Sequence, residues 1–174
     1  GFEICEDAWV STRPGSELAL KGVDIILNPS ASHFAFGKQQ VRKRFVQEGS
    51  RAFGVSYVYA NLLGNDAGRV IYDGGAIIAT QGRLVGQGPR FSFANHHITT
   101  AIVDVEATRM SQSRTASFKP NLEEVVKNCI VRDFAYPAIA PEAESLHVAA
   151  WETGADVQED EFARPAAVGV VDYM

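Results

Sequence analysis

The sequence predicts an α/β fold, in which helices pack against a sheet, and three observations support this prediction. Short apolar runs such as residues 23–28 and 55–61 are too short for core helices and rich in β-branched or aromatic side chains, so they indicate buried strands. Between them lies a longer segment whose apolar residues recur at helical spacing. Clusters of glycine, proline and asparagine mark the turns. This order favours an α/β layer whose later strands pair antiparallel.

The early elements follow from the residues at their ends. Residues 1–4 predict the end of a buried strand that turns sharply at Cys5. Proline near the start and glycine just after the end predict a short helix over residues 14–22. The strand over residues 23–28 then ends at the turn residues 28–32.

A longer helix and several further strands follow. The helix is predicted over residues 38–53, where the apolar positions at helical spacing are Val41, Phe45, Ala52 and Phe53. After the strand over residues 55–61, the cluster at residues 64–68 indicates a turn. Three more strands are predicted, over residues 75–79, 83–86 and 98–105.

Composition excludes several classes of function. The chain has 174 residues, of which 46% are hydrophobic and 21% charged, as expected for one globular domain with a core. Its net charge of -5 gives no general electrostatic case for a nucleic-acid partner. No apolar run approaches the roughly 18 residues of a membrane span, and no signal peptide is found. We therefore expect a cytoplasmic protein that binds neither nucleic acid nor membrane.

The cysteines and histidines indicate neither a disulfide framework nor a metal site. Cys5 and Cys129 lie in no CxxC-type spacing. The four histidines show no HExxH-like arrangement. We therefore predict no metal ligands in this chain.

Cys5 lies where an apolar strand turns acidic, in the stretch GFEICEDAW. On position alone, a cysteine beside Phe2 and Ile4 is most often a small buried residue. The carboxylates of Glu6 and Asp7 cannot enter a core unpaired, so the chain has to reach the surface there. Turns from a strand into a helix present side chains at the carboxyl edge of a sheet, where ligands of α/β proteins bind. Cys5 is therefore a candidate nucleophile that reacts as the thiolate.

Three stretches resemble the carbon-nitrogen hydrolase (nitrilase) superfamily, namely CEDAW, LNPSASHFAFGKQQVRKR and YVYANLLGNDAGRVIYDGGAIIA. Within it, the chain is most similar to the glutaminase domain of the glutamine-dependent NAD synthetases. The match runs from residue 1 to about residue 105, and the tail EDEFARPAAVGVVDYM resembles the helix that leads into the ATP-using synthetase domain. The resemblance implies part of a nitrilase-like four-layer α-β-β-α sandwich.

The resemblance also implies a division of the chain. Residues 1–106 correspond to the C-terminal half of the carbon-nitrogen hydrolase (glutaminase) domain. Residues 107–158, where polar residues and prolines interrupt short helical stretches, are expected to be an extension or linker. Residues 159–174 are expected to begin the helix that leads to a synthetase domain, which this chain is not expected to contain.

Five residues match site positions of the family. Cys5 corresponds to the nucleophile, and Glu6 to the carboxylate that holds a catalytic lysine or the substrate amide. Trp9 corresponds to an aromatic residue of the pocket wall. Ser32 corresponds to a ligand of the amino-acid head of glutamine, and Lys38 to a basic residue that pairs with its α-carboxylate. Simpler alternatives remain open at the last four positions: a surface acid, core packing, turn chemistry and a surface lysine at a helix start.

The family uses a glutamate base and a lysine together with the cysteine, and both lie upstream of it. This sequence begins four residues before Cys5, so we expect both groups outside these residues. Glu3 is expected to point the other way along its strand, and Lys21 ends a helix, so neither is predicted to replace them. The resemblance therefore implies that this piece alone is inactive.

The activity implied is that of a glutamine amidohydrolase, which releases ammonia through a cysteine thioester for the ATP-dependent amidation of deamido-NAD. Its partners would be L-glutamine, a synthetase domain of the same polypeptide and further copies in a homo-oligomer. No cofactor is expected in this part, whereas ATP and magnesium are expected in the synthetase domain. One alternative is a stand-alone nitrilase-superfamily amidase or carbamoylase with no ligase domain. Another is a non-catalytic structural remnant.

A run of basic residues follows the second turn, at Lys38, Arg42, Lys43, Arg44 and Arg51. A run of this kind can bind anions, but a solvated helix face or a contact with another subunit is the favoured interpretation. The sequence Asp73-Gly74-Gly75 indicates a turn before a strand and resembles the DG-x-S of the family, with Ala76 in place of serine.

Overall fold

The computed structural model describes residues 1–121, 129–133, 135, 137–138, 140, 146 and 148–173. The helices are α1 (Pro14–Leu20), α2 (Lys38–Ala52), α3 (Val105–Arg114) and α4 (Val157–Val171). The strands are β1 (Ile25–Ser30), β2 (Ser56–Asn61), β3 (Leu63–Asp66), β4 (Val70–Asp73), β5 (Ala76–Thr80) and β6 (Arg83–Gln87). Short 3₁₀ turns lie at Cys5–Ala8 and Ala150–Thr153. The α/β class is confirmed.

Four strands form one sheet in the order β1-β2-β5-β6, and β3 and β4 form a separate hairpin. Strands β1 and β2 are parallel, whereas the other neighbours in the sheet are antiparallel. The first residues add to this sheet beside β1, because the Glu3 amide donates to the Leu27 carbonyl and the Leu27 amide to the Gly1 carbonyl. The bridge between Phe2 and Leu27 is parallel. Cys5 therefore follows this segment at the edge where β1 and β2 also end.

The core lies between the sheet and helix α2. It consists of Ala19, Ile26, Val46, Val55, Tyr57, Tyr59, Ile77 and Ala79. Because side chains alternate along a strand, Leu27 points to the opposite face of β1 and is 37% exposed. Phe2, its partner in the bridge, is 62% exposed.

Glu3 is fully buried and accounts for one carboxylate near Cys5. It accepts hydrogen bonds from Arg13 at 2.8 Å and from the backbone of Gly15 at 2.8 Å, and from the hydroxyl of Tyr57. Burial raises the pKa of Tyr57, and the hydrogen bond to Glu3 adds to this increase. Glu3 is therefore a structural anchor for the start of α1, and the expectation that it takes no part in catalysis stays a prediction.

Gly15 marks the closest packing of α1 on the sheet, and we expect Gly15→Ala to destabilise the protein by about 1–3 kcal/mol. An added Cβ would lie 2.7 Å from Glu3 Oε1, 2.7 Å from Phe53 Cε2 and 2.9 Å from Ile26 Cδ1. This overlap outweighs the better helix propensity of alanine. Urea unfolding measures the change, with Glu17→Ala on the exposed side of α1 as the control. A stability equal to that of the control variant would contradict the packing.

Two elements differ from the sequence prediction between residues 62 and 105. The predicted turn at 64–68 lies partly within a hairpin strand, because residues 64–66 belong to β3, which pairs with β4, and only residues 67–69 form the tip between them. The predicted strand over residues 98–105 is wrong, since residues 98–104 form no strand. They pack instead against the glycines of β6 and its end, where a Cβ at Gly86 would lie 3.1 Å from Ala101 Cβ. The carboxylate of Asp104 then caps α3 by accepting from the Ala107 amide at 2.9 Å.

The C-terminal helix packs on the hairpin of β3 and β4. Val168 of α4 is 2% exposed, and a Cβ at Gly169 would lie 3.4 Å from Ile71. The helix begins at Val157, two residues before the predicted position 159. The boundaries predicted at residues 106 and 158 stay predictions, and much of the predicted linker lies outside the described residues. Among the described residues, no helix is both long and apolar enough to cross a membrane.

Candidate active site

Cys5 is held at a strained backbone turn. Its φ is 50°, in the left-handed region that a residue with a Cβ seldom adopts. The 3₁₀ turn starts at Cys5 and is closed by Asp7, whose carboxylate accepts from the Ile4 amide at 2.8 Å. The thiol is half-buried, whereas the next side chain, Glu6, is exposed. The sharp turn predicted at this position is confirmed, and strain of this kind is concentrated at functional sites.

Lys38 and Trp9 lie beside this turn. The Lys38 ammonium is 5.5 Å from the centre of the Trp9 ring, and Trp9 packs edge-on against Phe45 with ring centres 4.9 Å apart. Burial lowers the pKa of Lys38 and the positive charge of Arg42 adds to this, whereas Asp73 and Cys5 act in the opposite direction. The lysine is therefore a cation within electrostatic range of the Cys5 thiol.

Ser32 lies in the loop after β1 and is 6% exposed. The side chain of Asn61, at the end of β2, binds the Ser32 backbone on both sides. Asn61 Oδ1 accepts from the Ser32 amide at 2.8 Å, and Asn61 Nδ2 donates to the Ser32 carbonyl at 2.9 Å. The Ser32 hydroxyl accepts from Arg42 at 3.2 Å. Its side chain therefore has a structural contact, and its role as a ligand of glutamine stays a prediction.

Arg42 joins the Ser32 loop to the rest of the site. It is fully buried and donates to Asp73 Oδ2 at 2.5 Å, to the Ser32 carbonyl at 2.8 Å and to the His33 carbonyl at 3.3 Å. Lys38 donates to the same His33 carbonyl at 2.9 Å. Asp73 also accepts from Asn61 at 2.7 Å. This buried network fixes the loop that contains Ser32.

The sequence interpretation of the basic run is wrong for Arg42, which is an ion-paired residue of the interior rather than part of a solvated face. Arg44 and Arg51 are exposed, as the interpretation required. The predicted apolar face of α2 is also displaced, since Val41 is 40% exposed and the buried positions are Gln39, Arg42, Val46, Gly49 and Ser50. These buried positions are three or four residues apart, as on one face of a helix, and this spacing could have indicated that Arg42 is buried.

The residues predicted from the family therefore divide into two groups. Cys5, Trp9 and Lys38 surround one turn, with Glu6 exposed beside it. Ser32 lies inside the Arg42 network, and Arg42 and Lys38 donate to the same His33 carbonyl. Such a site can present a thiol together with a cation for a carboxylate or an oxyanion. Among the described residues, no group of three or more histidine, cysteine, aspartate or glutamate side chains is arranged to hold a metal ion.

Comparison with known proteins extends these observations. No family model matches the chain. The glutamine-dependent NAD(+) synthetase of Oryza sativa subsp. indica is 36% identical over 117 residues, which are 67% of this chain and 16% of that protein. The chain therefore spans only a small part of the length of the curated relatives that it matches.

Solved structures give the same result. A glutamine-dependent NAD(+) synthetase from Cytophaga hutchinsonii superposes with a TM-score of 0.51 and 50% identity over 59% of this chain and 16% of that one. A carbon-nitrogen hydrolase from Helicobacter pylori G27 superposes with a TM-score of 0.56 and 20% identity over 65% of this chain and 42% of that one. The second likeness concerns the fold alone, and it supports the predicted nitrilase-like architecture. Over about two thirds of its length, this chain is a homologue of part of the glutamine-dependent NAD(+) synthetases, and it has the fold of the carbon-nitrogen hydrolases.

Proposed function

We propose that this chain is part of a glutaminase site that releases ammonia from glutamine for the synthesis of NAD. The observation that supports it most directly is Cys5, a half-buried thiol on a strained turn beside Lys38 and Trp9. The turn lies at the carboxyl edge of the parallel strands, where α/β proteins bind their ligands. The similarity to glutamine-dependent NAD(+) synthetases supports glutamine as the source of the ammonia.

The reaction begins with attack of Cys5 Sγ on the side-chain amide carbon of glutamine. Because a free cysteine thiol is mostly protonated at neutral pH, a carboxylate base takes its proton as the C–S bond forms. The tetrahedral oxyanion then collapses, the C–N bond breaks, and the proton passes to the departing ammonia. Water attacks the thioester, the C–S bond breaks, and glutamate leaves. The base and an oxyanion-binding lysine are proposed to come from outside residues 1–174, since Glu3 is occupied by Arg13 and Tyr57.

The amino-acid head of glutamine is proposed to lie on the Ser32 loop. Lys38 would pair with the α-carboxylate, and its partly desolvated ammonium would be strengthened as a partner by the exclusion of water. Trp9 would form the wall beside the ammonium, while Glu6 would reach toward the amide or the incoming lysine. Lysine offers a single-point contact here, in contrast to the fork that an arginine would provide.

ATP and magnesium are proposed to act on a synthetase domain of the same polypeptide and not on these residues. The described residues hold no cluster that fits a metal ion, and the sequence contains no SGG-type phosphate loop. We further propose a homo-oligomeric protein in the cytoplasm. The alternative of a stand-alone amidase or carbamoylase is disfavoured, because relatives at 36% and 50% identity are glutamine-dependent synthetases.

Trapping of the thioester tests the proposal. The full-length gene product is incubated with glutamine and hydroxylamine, whose nitrogen attacks the thioester carbonyl, displaces Cys5 and gives γ-glutamyl hydroxamate. We expect hydroxamate from the natural protein and none from its Cys5→Ala variant. Equal hydroxamate from both proteins would exclude Cys5 as the nucleophile, and glutamate release without any hydroxamate would exclude a thioester.

Ser32→Ala and Lys38→Met should each raise KM for glutamine about tenfold and leave kcat within about twofold, the loss expected for one contact to the substrate head. Both residues are predicted to bind a part of the substrate that does not change during the reaction. Steady-state glutamate release measures the two constants, with the exposed lysine variant Lys119→Met as the control. Equal falls in kcat and kcat/KM would instead assign these residues to the transition state.

A further inference from the structure

A buried network connects the Ser32 loop to the C-terminal helix. Asp73 lies between two arginines, with Arg42 at 2.5 Å and Arg90 Nη1 at 4.0 Å from the same oxygen. Arg90 is 5% exposed and donates to Glu161 of α4 at 2.9 Å. The Nε of Arg90 also lies 3.5 Å from Glu152, in the 3₁₀ turn before α4.

Two further contacts connect the same segments without Asp73. The second oxygen of Glu161 accepts from the backbone of Gly37 at 3.3 Å, where the Ser32 loop enters α2. A row of aromatic rings runs beside it, from Phe34 in the loop edge-on to Phe91 at 5.3 Å and from Phe91 to the tilted ring of Trp151 at 5.9 Å. The C-terminal segment therefore reaches the loop through a backbone contact, an ionic network and a row of aromatic contacts.

The residue next to Arg90 stores backbone strain. Phe91 has a φ of 56°, which is a genuine outlier for a bulky side chain. Its amide donates to the Asp73 carbonyl at 2.8 Å, and its ring is 4% exposed. Such a conformation persists only where the surrounding contacts fix it, and here those contacts include Trp151 from the C-terminal segment.

We propose that Glu161 is a positioning residue for glutamine binding: by holding Arg90 and Gly37, it fixes the Ser32 loop, so that the placement of α4 sets the affinity for glutamine. This inference rests on the proposed function. A buried charge that loses its ionic partner destabilises the protein, so α4 cannot move away from Arg90 without disturbing Asp73 and Arg42. The helix has a built-in weak point there, because Pro165 supplies no amide for the Glu161 carbonyl.

The test uses Glu161→Gln in the full-length gene product, with Glu159→Gln on the exposed side of α4 as the matched control. We expect Glu161→Gln to raise KM for glutamine about fivefold while kcat and ammonia-supported synthesis stay within about twofold. Amide hydrogen exchange should become faster across residues 32–37 in this variant and stay unchanged in the control. Should Glu161→Gln fail to fold, Glu152→Gln removes the second acid from Arg90 and is expected to change both quantities in the same direction.

The outcomes separate this inference from the proposed function. If the natural protein releases no glutamate from glutamine, the proposed function fails and this inference fails with it. If glutamate is released normally and Glu161→Gln has the KM of the control, the inference alone is overturned. It is also overturned if KM rises without faster exchange in residues 32–37, since Glu161 would then act by another route. In a Ser32→Ala background, the effect of Glu161→Gln on KM should disappear, whereas additive effects would contradict a route through the loop.

Discussion

Replacement of Cys5 by alanine should abolish glutamine-supported synthesis in the full-length gene product, by at least about a thousandfold, while ammonia-supported synthesis survives. The reason is that only the first reaction requires a bond to sulfur. The methyl group of alanine has no thiol and cannot form the thioester, and binding alone leaves little residual turnover. Ammonia added to the medium replaces the product of this step, so the later chemistry no longer depends on Cys5.

Cys129→Ala is the matched control, because this second cysteine is free and exposed. It should leave both activities unchanged. Formation of the amidated product is followed with glutamine or with ammonium as the nitrogen source, after circular dichroism has shown that each variant is folded. Loss of both activities in a folded Cys5→Ala protein would contradict the assignment of two separate sites.

Arg42→Met should destabilise the protein by about 3–5 kcal/mol, the usual cost of leaving a buried charge without its partner. Arg42 is fully buried, and methionine can replace its aliphatic stem but cannot donate to Asp73 or to the Ser32 carbonyl. Asp73 would keep Asn61 at 2.7 Å and would have Arg90 only at 4.0 Å. Glutamine binding should weaken as well, because the Ser32 loop loses its anchor.

Arg44→Met tests whether this loss is specific to the buried position. Arg44 lies two residues further along the same helix and is exposed, so its replacement should change the free energy of unfolding by no more than about 0.5 kcal/mol. Urea unfolding of both variants gives the comparison. A loss below about 1 kcal/mol for Arg42→Met would mean that Asp73 is well solvated in the protein, against the buried network.

The elements that were predicted best are those fixed by neighbours in the sequence. The helix predicted over residues 38–53 is α2, Lys38–Ala52, and the strand predicted over residues 55–61 is β2, Ser56–Asn61. The predicted turn at Cys5 is also present, since an apolar run followed by two carboxylates has to leave the core. The spacing of hydrophobic residues and the residue types of turns are local properties, so they can be recognised in a single sequence.

The errors have a different origin. Residues 98–104 are rich in β-branched side chains like a strand, but they pack on the glycines in β6 and just after it and form no ladder. The hairpin of β3 and β4 was not predicted because β3 contains glycine, asparagine and aspartate, which are typical of turns, and its extended backbone is stabilised by pairing with β4. Arginine is a residue type that is usually found at the surface, and the burial of Arg42 depends on its ion pair with Asp73 in the interior.

The sequence by itself determined the α/β class and the sharp turn at Cys5, because each depends on residue types within a few positions, whereas the candidate site residues were implied by the family resemblance and stay predictions. The tertiary structure decided which charges are paired. Arg42 meets Asp73 31 residues away, and Arg90 meets Glu161 71 residues away. Contacts at such separations depend on how strands and helices are ordered in space, and the chemistry of either partner alone does not specify the other. The placement of α4 against the Ser32 loop is therefore a property of the fold and not of any one segment.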